Sequence, residues 1–255
     1  MVWKLYFTKM LPILMVLMCA VIVSANLPPD IKKCKAADVK CIADTINDVL
    51  RRYPKGNKEF GLDEVDSVHL KDVVVSQAAS DTPVQLNLKF KTLVVNGFES
   101  ARVDRVVGFE KDVNNSKFEV YGHTPELRMK GQYIVNGKVL ILPITGEDNA
   151  EIIMKNSNFA FKLKVALVKR NGINYATIKQ IKTITEPQSL KVQLDNLFNG
   201  NKELSDSTNK VINDNWKDIW AELQDGINKV SGDVIRKLIE NVLKELPYDD
   251  FYKSD

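Results

Sequence analysis

The C-terminal segment NKVINDNWKDIWAELQDGINKVSGDVIRKLIENVLKEL, residues 209–246, repeats apolar side chains at intervals of three and four. This spacing predicts a single amphipathic helix, which would be about 55 Å long at 1.5 Å per residue. Gly226 and Gly232 are the positions where we expect the helix to bend. The acidic tail, residues 248–255, follows Pro247, and we expect it to be flexible. So long an apolar face needs a partner of similar length.

Residues 63–195 have the pattern of β-strands and can supply that partner. Apolar and polar residues alternate from Val84 to Lys91 and again from Phe159 to Leu167, which is typical of strands with one buried face. Consecutive hairpins in this region predict an antiparallel meander. The predicted turns lie at Asn136-Gly137, Asn171-Gly172 and Asn114-Asn115.

These elements predict an α+β fold in which a strongly curved antiparallel sheet wraps around the long C-terminal helix. A short N-terminal helix is predicted over Asp38–Tyr53, where apolar residues recur in one stripe. We expect a single domain over residues 26–247, with an elongated chamber that side chains do not fill. The candidate ligand-binding residues on its walls are Ile46, Leu50, Phe90, Tyr133, Phe159, Phe161, Trp216 and Trp220.

Residues 1–25 have the layout of a secretory signal peptide, with Lys4 and Lys9 before an apolar run and small residues at its end. The alternative is a membrane anchor, but the run is shorter than the roughly 20 residues that a bilayer needs. Removing this leader, which contains two lysines and no acidic residue, leaves 34 basic against 33 acidic residues. That balance does not favour nucleic-acid binding, and no later stretch is long and apolar enough for stable membrane insertion. We predict a secreted, extracellular monomer.

Cys34 and Cys41 remain after the leader, with its Cys19, is removed. In an oxidising compartment, two cysteines this close are expected to form a disulfide bond; two free thiols are the alternative. Asn114 begins an Asn-Asn-Ser sequon in a predicted turn, which makes it a candidate glycosylation site. It is equally consistent with an unmodified turn residue.

Signatures of catalysis, metal binding and nucleotide cofactors are missing from the sequence. Only His69 and His123 could act as a catalytic base or assist a metal, and neither lies in a recognisable motif. Asp63, Glu64 and Asp66 form an acidic cluster that is more typical of a solvated strand start. We therefore predict a protein without enzymatic activity, cofactor or metal.

Three aromatic residues have alternative roles. Trp216 and Trp220 are four residues apart on the C-terminal helix, where core packing competes with ligand contact. Trp216 could also anchor the helix end against Phe198. Tyr133 could offer a ligand its single polar contact, since a buried tyrosine hydroxyl needs a partner.

The chain resembles the insect takeout and juvenile-hormone-binding protein family. The resemblance rests on Leu27-Pro28, the Cys34 and Cys41 pair with its helix, the segment from Leu197 to Leu204, and Asn213-Asp214-Asn215-Trp216. It implies a curved sheet around a long helix, similar to the tubular lipid-binding proteins. It also implies an extracellular binder of terpenoids or other long apolar molecules.

The hormone binders of this family carry a second disulfide, for which this chain has no cysteines. The resemblance therefore favours the takeout branch, with roles in circadian or feeding behaviour. We predict a carrier of a small hydrophobic ligand, either a terpenoid such as juvenile hormone or a fatty-acid-like lipid. The alternatives are a protein-interaction module whose chamber is filled by side chains and a lipid-ester hydrolase using His69 or His123.

Overall fold

The computed structural model of the protein describes residues 27–77, 84–139 and 141–253. The predicted signal peptide, residues 1–25, lies outside them. Seven strands and three α-helices are formed by the described residues. The strands are β1 Ser67–Ser76, β2 Val84–Asn96, β3 Arg102–Gly108, β4 Phe118–Val139, β5 Leu142–Arg170, β6 Ile173–Glu186 and β7 Ser189–Leu194. The helices are α1 Val39–Arg52, α2 Lys202–Asp214 and α3 Trp216–Glu245.

The hairpin of β4 and β5 is the spine of the sheet. The two strands pair antiparallel from Val139 opposite Leu142 to Phe118 opposite Leu163. Each is bordered by two shorter strands in succession, β4 by β2 and β3, and β5 by β7 and β6. The path of pairing is β1-β2-β4-β5-β6, all antiparallel, as the alternation of apolar and polar residues predicts. Register shifts in four of the strand pairs allow the sheet to curve.

The predicted turn at Asn136-Gly137 is wrong. Both residues lie inside β4, where Gly137 is opposite Leu86 of β2 and Ile144 of β5. A Cβ atom on Gly137 would lie 1.9 Å from the backbone oxygen of Gln85. The glycine therefore permits the close approach of β2, and the hairpin turns between Val139 and Leu142.

The other two predicted turns are confirmed. Asn171-Gly172 joins β5 to β6, with φ angles of 49° and 85° that match a type I′ turn. Asn114-Asn115 lies in the turn between β3 and β4, where the Asn115 amide donates to the Asp112 carbonyl at 3.2 Å.

The predicted C-terminal helix is two helices, because α2 ends and α3 begins on either side of Asn215. The Asn215 side-chain amide donates to the Val211 carbonyl at 2.8 Å and satisfies part of the α2 terminus. α3 is continuous through Gly226 and Gly232 and is about 45 Å long. A Cβ at Gly226 would lie 1.8 Å from the Val75 carbonyl oxygen, so this glycine permits close packing on β1.

α3 lies in the gap between β1 and β6, the two ends of the main strand path. It packs on both strands. The Thr183 hydroxyl of β6 donates to the Asn228 carbonyl of the helix, and the Arg236 guanidinium donates to the Ile178 carbonyl at 2.8 Å. The curved sheet wrapped around a long C-terminal helix is thus confirmed.

The predicted disulfide is confirmed, with Cα atoms of Cys34 and Cys41 5.8 Å apart. Cys41 lies in the first turn of α1, whose N-cap, Asp38, accepts a hydrogen bond from the Cys41 amide at 3.1 Å. The bond fixes the segment before α1 to this helix.

The prediction of a flexible tail from residue 248 is wrong for residues 248–253. Tyr248 and Tyr252 are buried, and the Lys253 amide donates to the Cys34 carbonyl at 2.8 Å. The aromatic residues of this acidic segment thus pack on the N-terminal segment. Residues 254 and 255 lie outside the described residues.

Candidate ligand-binding cavity

A cavity of about 590 Å³ lies between the inner face of the sheet and α3. The helix borders it from Ile219 to Leu243, which is about 36 Å of helix length. A volume of this size over such a length is a narrow tube. Its walls are almost entirely aliphatic and aromatic side chains, as in sites that bind apolar molecules.

The two ends of the tube differ. At one end, Phe90, Tyr133 and Ile219 belong to a large buried cluster. At the other, Lys32 borders the cavity while being exposed, so this end lies nearest to solvent. We call the latter the open end. The disulfide and the packed C-terminal segment lie at the open end. Cys34 and Tyr252 both border the cavity, and their backbones pair in a parallel β-bridge.

Tyr248 and Tyr252 form a pair at the open end. Their hydroxyl oxygens are 3.1 Å apart and their rings pack edge to face. Burial raises the pKa of both hydroxyls above the ordinary value. Both side chains are therefore neutral at physiological pH, and the Tyr248 hydroxyl also lies 3.5 Å from the Glu110 carbonyl oxygen.

Most of the predicted ligand-binding residues lie on the cavity wall. They are Ile46 and Leu50 of α1, Phe90 of β2, Phe159 and Phe161 of β5, and Trp220 of α3. The rings of Phe159 and Phe161 are stacked with centroids 4.9 Å apart. Two other predicted residues, Tyr133 and Trp216, are not on the wall.

The hydroxyl of Tyr133 is already committed inside the protein. It donates to the Asp195 carbonyl at 2.6 Å, and the residue is fully buried. Burial raises the pKa of this hydroxyl, with Asp148 and Asp195 as lesser causes. Tyr133 therefore ties β4 to the end of β7 and does not face a ligand, which corrects the predicted polar contact. Trp216 begins α3 and is half-buried.

A polar band, which the sequence pattern did not reveal, crosses the middle of the tube. We call it the polar waist and define it as Thr124 of β4, Ser157 of β5 and Thr185 of β6, all buried and all on the cavity wall. Thr124 is directly opposite Ser157, and Thr185 is opposite Phe159. The Thr124 hydroxyl lies 3.4 Å from the Ser100 hydroxyl.

The waist is the point at which the inward face of the hairpin changes phase. On β4, the buried residues are even-numbered up to Thr124 and odd-numbered from Leu127 onward. On β5, Met154 is buried and the next buried residue is Ser157, three positions later. The change falls where Pro125, which lacks an amide donor, faces Asn156, whose φ is 47°. This change of phase places the paired residues Thr124 and Ser157 on the inward face of the hairpin.

Both histidines lie away from the cavity and are exposed. The Ser67 hydroxyl is 3.2 Å from His69 Nε2, and the Asp104 carboxylate is 3.0 Å from His123 Nδ1. Neither histidine can act on a ligand held in the tube.

The acidic cluster is tied into an ion network. Lys55 lies 3.0 Å from the Glu64 carboxylate and 2.9 Å from that of Asp66. The hydrogen bond from Lys55 lowers the pKa of the Asp66 carboxyl group. The Asn241 amide donates to the Asp63 carboxylate at 2.6 Å. These contacts explain the cluster as a link between the start of β1, its preceding loop and α3.

The model of the family described as haemolymph juvenile hormone binding protein (JHBP) matches residues 13–253. The chain belongs to this family. The resemblance inferred from the cysteine pair and the asparagine-rich segments is thus confirmed.

Two curated relatives and one solved structure match most of the length of this chain. The circadian clock-controlled protein daywake of Drosophila yakuba is 29% identical over 239 residues, covering 91% of this chain and 90% of that protein. Daywake of Drosophila melanogaster is 28% identical over 240 residues, with 93% and 92% covered. The crystal structure of Epiphyas postvittana Takeout 1 matches with a TM-score of 0.76 at 26% identity, covering 87% of this chain and 99% of that one.

The part of the chain that the structure describes contains no α-helix with the length and apolar character needed to cross a lipid bilayer.

Proposed function

We propose that this JHBP family member is a secreted carrier that holds one long apolar molecule in the tube between the sheet and α3. The observation that carries the proposal is the apolar cavity of about 590 Å³. A protein-interaction module without a ligand would fill this chamber with side chains. The cavity walls contain no histidine, which agrees with binding rather than catalysis.

The apolar walls provide enough free energy for useful affinity. Burying roughly 400 Å² of ligand surface at about 25 cal/mol per Å² corresponds to about 10 kcal/mol before the cost of association. That cost removes several kcal/mol. The remainder corresponds to dissociation constants in the micromolar to nanomolar range.

The proposal of secretion rests on the N-terminal leader pattern and on the Cys34–Cys41 disulfide, which persists in oxidising compartments. Expression of the full chain in insect cells tests it. We expect the protein in the medium to begin near residue 26, and retention of the uncleaved chain in cells would contradict the proposal.

The proposed ligand classes are terpenoids such as juvenile hormone and fatty-acid-like lipids. The proposal of a circadian or feeding role rests on the takeout resemblance and on the description of the daywake relatives as clock-controlled. Sampling the transcript through a light–dark cycle tests the circadian part, and a constant level would contradict it.

Mass spectrometry of the protein under non-denaturing conditions, followed by extraction and identification of bound lipids, tests the carrier proposal directly. Displacement of an apolar fluorescent probe then measures affinity. Val230→Trp would place a large ring in the tube, because Val230 lines it, and we expect probe binding to be lost. The matched control is Val168→Trp, at an exposed position on β5. Equal probe binding by both variants, or no binding by the unaltered protein, would overturn the proposal.

A further inference from the structure

Two separate apolar regions line the tube. Phe90 and Leu93 belong to the buried cluster at one end, while Val120, Phe159 and Phe161 form another cluster toward the open end. Thr124 and Ser157 belong to neither cluster. The polar waist therefore lies between two largely apolar halves of the tube.

Ser157 is the unusual member of the waist. The residue has 0% exposure, and its buried side-chain oxygen has no hydrogen-bond partner. Among the described residues, five buried side-chain polar atoms lack a partner, and only that of Ser157 belongs to the cavity wall. Leaving such a group unpaired is unfavourable. Because Ser157 borders the tube, an oxygen atom of a ligand would satisfy this hydroxyl.

We propose that Ser157 forms a hydrogen bond with an oxygen atom near the middle of a long, uncharged ligand. The inference rests on the proposed carrier function and adds the chemical class of the ligand. That class is two apolar segments on either side of one neutral oxygen function, such as a ketone, an ester, an ether or a hydroxyl group.

The charge of the wall excludes an ionised group at this depth. The one charged residue among the described residues of the wall is Lys32, which is exposed at the open end. Thr124, Ser157 and Thr185 offer hydroxyl groups alone. A carboxylate held there without a cation would lose its hydration without compensation. A neutral oxygen loses much less and gains the Ser157 hydrogen bond.

A matched pair of probes tests the inference on the full mature protein. One is a long-chain ketone with its carbonyl at the middle of the chain, and the other is the alkane of the same length. We expect the unaltered protein to bind the ketone more tightly in probe displacement. Ser157→Ala should weaken ketone binding about five- to tenfold, the effect of one hydrogen bond, and leave alkane binding unchanged.

Ser207→Ala is the control, because Ser207 is exposed on α2 and does not line the tube. We expect it to leave both affinities unchanged. Thermal unfolding of each variant verifies that it is folded. Equal loss of ketone binding in both variants would overturn the assignment to Ser157, as would equal binding of ketone and alkane by the unaltered protein.

A fatty acid of the same length is the third probe and tests neutrality. We expect it to bind less tightly than the ketone, and tighter binding that is unaffected by Ser157→Ala would overturn the inference. In all these outcomes the carrier proposal survives, because an apolar molecule is bound. If the unaltered protein binds none of the three probes, the carrier proposal itself fails.

Discussion

At the scale of single residues, two buried hydroxyl groups in this protein are treated differently. The Tyr133 hydroxyl reaches the Asp195 carbonyl, 62 positions further along the chain, and so contributes to stability. The Ser157 hydroxyl has no such partner. Replacing the Ser157 hydroxyl would increase stability, whereas replacing the Tyr133 hydroxyl would decrease it. Selection for stability alone therefore accounts for the buried hydroxyl of Tyr133 but not for that of Ser157.

This contrast leads to a prediction for the ligand-free protein. Ser157→Ala should raise the free energy of unfolding by about 1 kcal/mol, because an unsatisfied buried hydroxyl is removed. Denaturant unfolding of delipidated protein measures it. Tyr133→Phe is the comparison, and it should lower stability, since the Asp195 carbonyl loses its donor. A destabilised Ser157→Ala variant would mean that the hydroxyl has a partner in solution.

The sequence could predict much of the apolar wall but not its polar part. Phe90, Phe159 and Phe161 belong to runs of alternating residues, so their inward direction follows from the period of a strand. Ser157 stands between Asn156 and Asn158, and nothing local distinguishes an inward serine from an outward one. Its direction depends on the left-handed φ of Asn156, and that residue faces Pro125 on another strand.

At the scale of elements, asparagine side chains attach two helices to strand edges. Asn47 of α1 donates to the carbonyl and accepts from the amide of Val103 in β3, at 2.9 and 2.8 Å. Asn209 of α2 forms the same double contact with Leu194 of β7, at 2.9 Å for each bond. Asn213, one helical turn later, repeats it on Val192. The helices thereby cover edges that would otherwise leave backbone groups unpaired.

Removing one such contact should therefore be costly. Asn209 is buried, and Asn209→Ala would leave the amide and the carbonyl of Leu194 unpaired. We expect a loss of about 2–4 kcal/mol in the free energy of unfolding. Ser207→Ala, at an exposed position of the same helix, controls for altered helix propensity and should change stability little. Similar values for both variants would contradict the proposed attachment.

The disulfide acts on the same scale, because it links α1 to the segment that holds the C-terminal end. The Cys34 carbonyl accepts from the Lys253 amide. Replacing both cysteines by serine should reduce the free energy of unfolding by about 2–3 kcal/mol, the value for so short a loop. Protease digestion should also release the last residues sooner than in the unaltered protein. Unchanged digestion would show that the C-terminal segment is held independently.

Elements were predictable where their signals are local. Asn171-Gly172 forms its hairpin because both residues adopt positive φ without help from distant strands. Asn136-Gly137 carries the same signal but is enclosed by β2 and β5, so tertiary packing overrides it. The division at Asn215 was also missed, since the apolar stripe continues across it and only the hydrogen bond to Val211 marks the end of α2.

At the scale of the whole molecule, the tube exists because one long helix lies along the open side of a curved sheet. α3 is about 45 Å long, and it spans the gap between β1 and β6 that a curved, open sheet leaves. Side chains from a single helix cannot fill the concave face along this whole distance. The general location of a chamber was therefore predictable from the amphipathic stripe and the strand pattern, whereas its volume depends on every side chain on the wall.

The tube geometry predicts how affinity depends on chain length in a series of neutral ligands. Each added methylene that enters the apolar wall should improve affinity by up to about fourfold, equivalent to about 0.8 kcal/mol. The gain should stop once the chain fills the tube. Leu223 lines the cavity and packs against the cluster of Phe90 and Tyr133. Leu223→Trp should therefore shorten the half of the tube that is away from the open end, which we call the closed half. We expect this variant to bind short chains normally and to reach its plateau at a smaller chain length, in the same displacement measurements. Leu204→Trp, at an exposed position of α2, should keep the original plateau. Loss of affinity for chains of every length, with the plateau unmoved, would mean that the ligand lies outside the closed half.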